Sequence, residues 1–225
     1  VGDFDQSELT LLAERYYGDW ERGDFVPEIP QEPVQIEARS ARINWPNPTL
    51  PFLMMGYHAP AFSDTTVDMP ALDVFSQLLF SETSPLFRRL YLEEQVVDVL
   101  QGGALDGRDA PLFSIIARIT DPARVDDVRD AIIDEIERLK TEPVDAVVLD
   151  ATKSHMRYGF AMGLNNPGQI AQTLGHYLQL TEDPETVNRV YELYDTVSPD
   201  DVQMVANTYF ADTNRTVVVL TQEGQ

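Results

Sequence analysis

The chain has 225 residues, 43% of them hydrophobic, which gives room for one large domain or two small ones around a substantial core. Sixteen basic against 38 acidic side chains leave a net charge of −22, a field that repels phosphate backbones and anionic lipid and so argues against nucleic-acid binding and membrane docking. The absence of cysteine removes disulfides, cysteine-ligated zinc, iron–sulfur clusters and thiol nucleophiles, and runs such as Val217-Val218-Val219-Leu220 are too short for membrane insertion.

The first residues read as the tail of a strand leading into a helix, with Asp5 as cap and Leu9, Leu12, Ala13 and Tyr16 at helical spacing until Gly18. From Val26 to Pro33, three prolines among acidic neighbours predict an extended linker, because proline fixes its own φ and restrains its predecessor. This is the clearest boundary. It separates residues 1–30, a trailing strand, helix and linker, from a main domain over 31–225. The segment Val34–Ile43 alternates weakly, and Leu50–Tyr57 reads as an apolar strand. Pro70–Phe80 predicts a buried helix carrying Leu72, Phe75, Leu78 and Leu79, and a second helix over Ser84–Glu94 has Ser84 as cap and Pro85 at its first position.

Val96–Leu100 reads as a strand, followed by a turn-like Gln101-Gly102-Gly103-Ala104-Leu105-Asp106-Gly107. The alternation of Phe113, Ile115, Ala117 and Ile119 with Ser114, Ile116 and Arg118 is a strand covered on one face. A helix after Asp121-Pro122 carries the stripe Val125, Val128, Ile132, Ile136, Leu139, with Asp134 and Arg138 as an i,i+4 ion pair. Further helices are expected over Val144–Met162, Gln169–Leu180, Pro184–Tyr194 and from Ser198 to about Phe210, then a closing strand Thr216–Thr221. Strands and helices mix without βαβ alternation. The fold class is α+β.

Two lysines, Lys140 and Lys153, stand beside fourteen arginines. Such an acidic, lysine-poor composition suits concentrated salt, where screening suppresses self-repulsion, or is an ordinary acidic surface. The chain opens on Val1-Gly2-Asp3 without methionine or a visible signal peptide, so it reads as a fragment with a leader upstream, and its compartment stays open.

Chemistry-bearing motifs are sparse. His58, His155 and His176 are each too far from a second histidine to share a helix face, and H-E-x-x-H and H-x-x-E-H are missing. Gly102, Gly103 and Gly107 lack dinucleotide-loop spacing, and neither a P-loop nor G-x-S-x-G is present. The pairs Asp126-Asp127 and Asp200-Asp201 read as helix-terminal charge. No catalytic or metal-ligating residue is assigned in this chain.

Four stretches nevertheless form an ordered pattern. These are Val1–Asp5 with Tyr16-Tyr17-Gly18-Asp19-Trp20, then Ala71–Phe75, then Ser84-Pro85-Leu86-Phe87-Arg88-Arg89-Leu90, and finally Asp200–Phe210 running into Asn214–Leu220. Together they resemble the C-terminal half of the insulinase/pitrilysin-type zinc metallopeptidases, which include the mitochondrial processing peptidases and core subunits of respiratory complex III.

The resemblance implies a mixed, largely antiparallel sheet with helices on one face, closing a peptide chamber opposite a half that holds H-x-x-E-H and the zinc. No cofactor is expected in this chain itself. The expected partners are that zinc-binding half, or a partner subunit, and a peptide substrate; homo-oligomerisation is left open. In some members the second half offers the substrate carbonyl an Arg and, seven residues on, a Tyr. The matching positions are Tyr91 and Asp98, which keep neither the charge nor the phenol, and a helix would turn Arg88 and Arg89 away from that register.

Arg89, Tyr91, Gln95 and Asp98 are therefore the candidate substrate contacts, in a half that holds peptide rather than cleaves it. Val96–Leu100 is the candidate edge for β-addition of an extended peptide, and an acidic chamber wall would favour basic peptides unless the surplus charge faces outward. Two alternatives remain at this point: a proteolytically inactive assembly or peptide-binding subunit of the same fold, and an unrelated α+β domain.

Overall fold

Alternating apolar residues need a sheet with one covered face, and the chain provides it. The computed structural model describes residues 1–25, 28–30 and 32–223. Strands β1 (Arg39–Trp45), β2 (Phe52–His58), β3 (Val97–Gly103), β4 (Leu112–Ile119) and β5 (Arg215–Gln222) form one sheet in the order β1-β5-β2-β4-β3. Every pairing is antiparallel except β1 with β5. Phe113, Ile115, Ala117 and Ile119 of β4 align with Tyr57, Met55 and Leu53 of β2 on the buried face. Their neighbours in sequence turn the other way.

Helices cover only that buried face: α2 (Asp68–Phe80), α4 (Val125–Thr141), α5 (Ala146–Gly163), α6 (Pro167–Thr181), α7 (Thr186–Thr196) and α8 (Pro199–Tyr209). Val125, Val128, Ile132, Ile136 and Leu139 of α4 are all buried, as their spacing predicts. α8 packs against both α2 and α4, and Phe210 at its end sits among Phe75, Tyr57 and Phe113 at ring separations of 4.5, 4.8 and 4.9 Å. Asp200-Asp201 is helix-terminal as expected. Ser198 Oγ accepts from the Asp201 amide at 3.2 Å, and the Asp201 carboxylate accepts from the Ser198 amide at 2.9 Å, a reciprocal cap.

Both lysines finish helices. The Lys153 ammonium donates to the carbonyls of Asp195, in the last turn of α7, and of Val197, just past it, both at 2.9 Å, and that of Lys140 donates to the Phe210 carbonyl at 2.8 Å, just past α8. A compact point charge satisfies carbonyls that a helix end leaves without partners.

Several expectations need correcting. No strand forms at residues 1–5, where every side chain is exposed and no neighbouring strand offers hydrogen bonds. The helix that follows, α1 (Gln6–Tyr17), is capped by Asp5 as expected but buries nothing; Leu11 is 68% and Tyr16 64% exposed. The predicted linker is exposed and irregular at Glu28–Pro30 and Glu32–Pro33, while Val26, Pro27 and Gln31 lie outside the described residues. Alternation in Val34–Ile43 becomes a strand only from Arg39.

The predicted turn over 101–107 is irregular only from Ala104 on; its first three residues continue β3, where Phe80 packs on Gly102 so closely that a Cβ there would stand 2.3 Å from the ring. Arg138 pairs with Glu135 and Glu142, not Asp134. Lastly, Ser84–Glu94 is not one α-helix. A short turn, α3 (Pro85–Phe87), widens into a π-helical turn, Arg88–Glu93, closed by the Glu94 amide on the Arg89 carbonyl at 2.8 Å. The i,i+5 bond fits one more residue per turn while Leu86 and Leu90 both reach the core.

Candidate functional site

The π-helical turn decides where the predicted contacts point. Arg89 turns toward α4 and pairs with Glu94 at 3.5 Å, and Glu94 also accepts from Arg124 at 2.9 Å. Tyr91 lies stacked on Phe87, ring centroids 4.7 Å apart. The rotation inferred for Arg88 and Arg89 from α-helical geometry does not apply to this wider turn.

Gln95 ends the turn at φ 52°, a left-handed conformation in which a Cβ is crowded, and its carbonyl accepts from Thr120 Oγ1 at 2.9 Å. Gln95→Gly should therefore raise the unfolding free energy by about 0.5–1 kcal/mol, the relief of strain exceeding the added freedom of the unfolded chain. A urea midpoint at or below that of the parent would contradict this.

Asp98 occupies a bulge in β3, where pairing slips between Val97 and Val99. It takes a two-pronged ion pair from Arg118 of β4, both bonds 2.7 Å, which holds its carboxyl below the usual carboxylate range. Asp98 is thus half of a neutral pair on the uncovered side of the sheet. The four candidates do not form one cluster: Arg89 belongs to a charge network on the helix side, and Asp98 to the sheet. Arg118, whose outward position was plain from the alternation, is the partner that residue spacing alone did not suggest.

The uncovered face is the larger feature. Met54 (46% exposed), Leu112 (50% exposed), Ile116, Val218, Ala41 and Ile43 share it through the cross-strand register. Of the two placements left open for the surplus charge, this face carries Asp98 matched by Arg118, while carboxylates crowd the outer surface of α4 at Asp126, Asp127, Asp130 and Asp134.

At one end of the face the linker is fastened down. The Gln35 side-chain amide donates to the Arg215 carbonyl at 3.0 Å, Thr216 Oγ1 donates to Gln35 Oε1 at 3.2 Å, and Glu32 meets His58 at 3.2 Å. Asn214 locks the same corner: its side-chain amide donates to the His58 and Tyr209 carbonyls at 3.0 and 2.7 Å. A groove of about 400 Å³ opens beside this corner over Gly56.

The three histidines sit on separate elements, His58 at the end of β2, His155 on α5 and His176 on α6, with His176 beside Asp106 at 3.2 Å. Among the described residues no group of three or more His, Asp or Glu side chains could hold a metal ion. The described residues thus bring no set of side chains together that would fit zinc. No helix of the described residues is long and apolar enough to cross a membrane.

Comparison with known proteins adds the family. Residues 1–156 match the family described as Peptidase M16 inactive domain. The chain is 25% identical to "Zinc protease PqqE" of Helicobacter pylori (strain ATCC 700392 / 26695), covering 98% of this chain and 50% of that protein. The fold recurs in the crystal structure of a protease from Helicobacter pylori, with a TM-score of 0.87 and 24% identity, covering 98% of this chain and 53% of that one. It recurs in a peptidase M16 inactive domain from Pseudomonas fluorescens, with a TM-score of 0.79 and 17% identity, covering 99% of this chain and 52% of that one. The chain thus spans about half the length of these relatives. With the family pattern running through two thirds of its residues, on a sheet covered by helices on one side only, the chain belongs to the M16 peptidase family as an inactive domain.

Proposed function

We propose that the chain is the non-catalytic half of a zinc-dependent metallopeptidase, closing a peptide-binding chamber over a zinc site that a preceding half or a partner chain supplies. The bare sheet face is the observation that carries this reading. Apolar side chains from β1, β2, β4 and β5 face away from the helix layer, and among the described residues no helix covers them. Exposed apolar surface of that extent marks an interaction site.

Three further features support it: the chain's half-length against its relatives, the lack of a metal-ligand cluster among the described residues, and α1, whose Leu9, Leu12 and Tyr16 bury nothing within this chain. Residues 1–30 then belong structurally with the zinc-binding half, and 31–225 form the closing domain. Peptide would be held along β3, whose position at the sheet edge leaves backbone groups free for an added strand. Gln95 and Asp98 flank the start of that edge, whereas Arg89 and Tyr91 contribute to its support.

Peptide hydrolysis measured for the zinc-binding half, for this chain and for the two combined tests the reading. The combination should hydrolyse peptide at least about 100-fold faster than either part, a loss on the scale seen when transition-state positioning is removed. Hydrolysis by this chain alone, or full activity from the other half alone, would overturn it. A combination that binds peptide without cleaving it would identify a peptide-binding subunit instead.

A further inference from the structure

We propose that the groove over Gly56 is a selectivity pocket for peptide segments in which an aliphatic side chain lies next to a carboxylate, and that Arg39 reads the carboxylate. The proposal rests on the chamber reading above and names the substrate class. The groove's floor is apolar, formed by Met54, Leu112, Ile116 and Val218, and it dips at Gly56, where no side chain rises from β2. The strand register sets Arg39 of β1, Thr216 of β5 and Gly56 of β2 in line across the sheet. Neighbouring strands are about 4.8 Å apart, so an aliphatic group over Gly56 leaves roughly 10 Å to the Arg39 backbone, within reach of an arginine side chain and the next residue of an extended peptide.

Charge chooses the ligand. Two charged side chains line this groove: Glu32, at the corner where its carboxylate meets the His58 ring at 3.2 Å, and Arg39, on the strand across β5 from Gly56. Arg39 is the arginine that lines this groove, and no carboxylate pairs with it among the described residues, so its guanidinium is open to a ligand there. A guanidinium left open beside an apolar floor complements a ligand that brings its own carboxylate, and the fork geometry suits two-pronged binding. This preference is the reverse of the one an acidic wall would impose.

Fluorescence anisotropy with two labelled peptides identical except for Leu-Glu or Leu-Lys at the centre tests the proposal on the purified chain. The parent should bind the Leu-Glu peptide at least tenfold more tightly, and Arg39→Glu should abolish or invert that preference. Gly56→Val should weaken both peptides at least tenfold while folding normally, because a Cβ at Gly56 meets only Leu112, at an ordinary 3.5 Å. Met54→Glu, at a floor position that is 46% exposed and so tolerates a charge, should selectively weaken the Leu-Glu peptide, and it serves where Gly56→Val fails to fold.

Equal binding of both peptides by the parent, or a preference untouched by Arg39→Glu and Met54→Glu, would overturn the pocket. If hydrolysis by the combined halves persists in that case, the chamber reading stands and only the pocket falls. If the preference follows Arg39 while combination restores no hydrolysis, the pocket stands and the chamber reading falls.

Discussion

Phe210→Ala should lower the unfolding free energy by about 3–5 kcal/mol, read from chemical denaturation followed by tryptophan fluorescence or circular dichroism. Phe210 is 1% exposed and lies where α8 meets the sheet, its ring against Phe75 of α2, Tyr57 of β2 and Phe113 of β4. Truncation removes three ring contacts, each worth about 0.5–1.5 kcal/mol beyond the buried area, and leaves a cavity that α8 and β2 cannot both move to fill. Against a typical domain stability of about 5–15 kcal/mol, such a loss brings the chain close to unfolding. Phe210→Leu should cost clearly less, because most of the volume stays. A loss below about 1 kcal/mol for the alanine variant would mean that the helix layer is not held through this ring.

Asp73→Asn should remove a dependence of stability on pH between about 4 and 7. Asp73 projects from α2 and accepts a hydrogen bond from the Tyr194 hydroxyl of α7. Burial pushes its carboxyl up to about 7; the tyrosine bond opposes this, and Asp106 adds to it. In the unfolded chain the same group titrates near 4. Between these values the folded state keeps a proton that the unfolded state has released, so stability falls as pH rises through the window, and the whole contribution is lost above about 7.

At 1.36 kcal/mol per pH unit over about three units, the ceiling is about 4 kcal/mol. Asparagine keeps the shape and an acceptor for Tyr194 without the titration, so the variant should be the more stable of the two at pH 8. Parent and variant unfolding curves that stay parallel from pH 4 to 8 would refute this. Asp64 and Asp98, held low by the guanidiniums of Arg189 and Arg118, act with the opposite sign: their stabilisation is lost on acidification below about 4. The two pH windows can therefore be separated in one titration.

Elements whose own periodicity meets a large partner surface were legible in the sequence. The α4 stripe and the β4 alternation are long enough for burial to follow pattern alone, and Asp5, Ser84 and Ser198 cap the helices assigned to them because capping is a local interaction. Misreadings arose where a distant residue overrides a local preference. Gly102 looks like a turn until Phe80 is placed over it, and residues 1–5 look like strand, although no strand among the described residues pairs with them.

The π-helical turn is hidden for a similar reason, since only the simultaneous demand of Leu86 and Leu90 on the core widens it. Of the candidate contacts, positions could be read but directions could not. Asp98 meets Arg118 across two strands separated by a loop, and the groove exists only once β1, β5 and β2 are aligned. Arg39 and Gly56, seventeen residues apart in the chain, become neighbours through a third strand that begins near residue 215.

That third strand has a consequence for biosynthesis. β5 inserts between β1 and β2, and β1 has no other neighbour in the sheet. A ribosome therefore releases β1 nearly the whole domain before its hydrogen-bonding partner exists, while β2, β3 and β4 can already assemble as a three-stranded unit with a raw edge on β2 in addition to the lasting one on β3. Such late, long-range closure is slow, and an open edge invites pairing with other nascent chains until residue 222 has emerged. Yield in cells should accordingly depend on chaperone supply more than the finished molecule's stability would suggest.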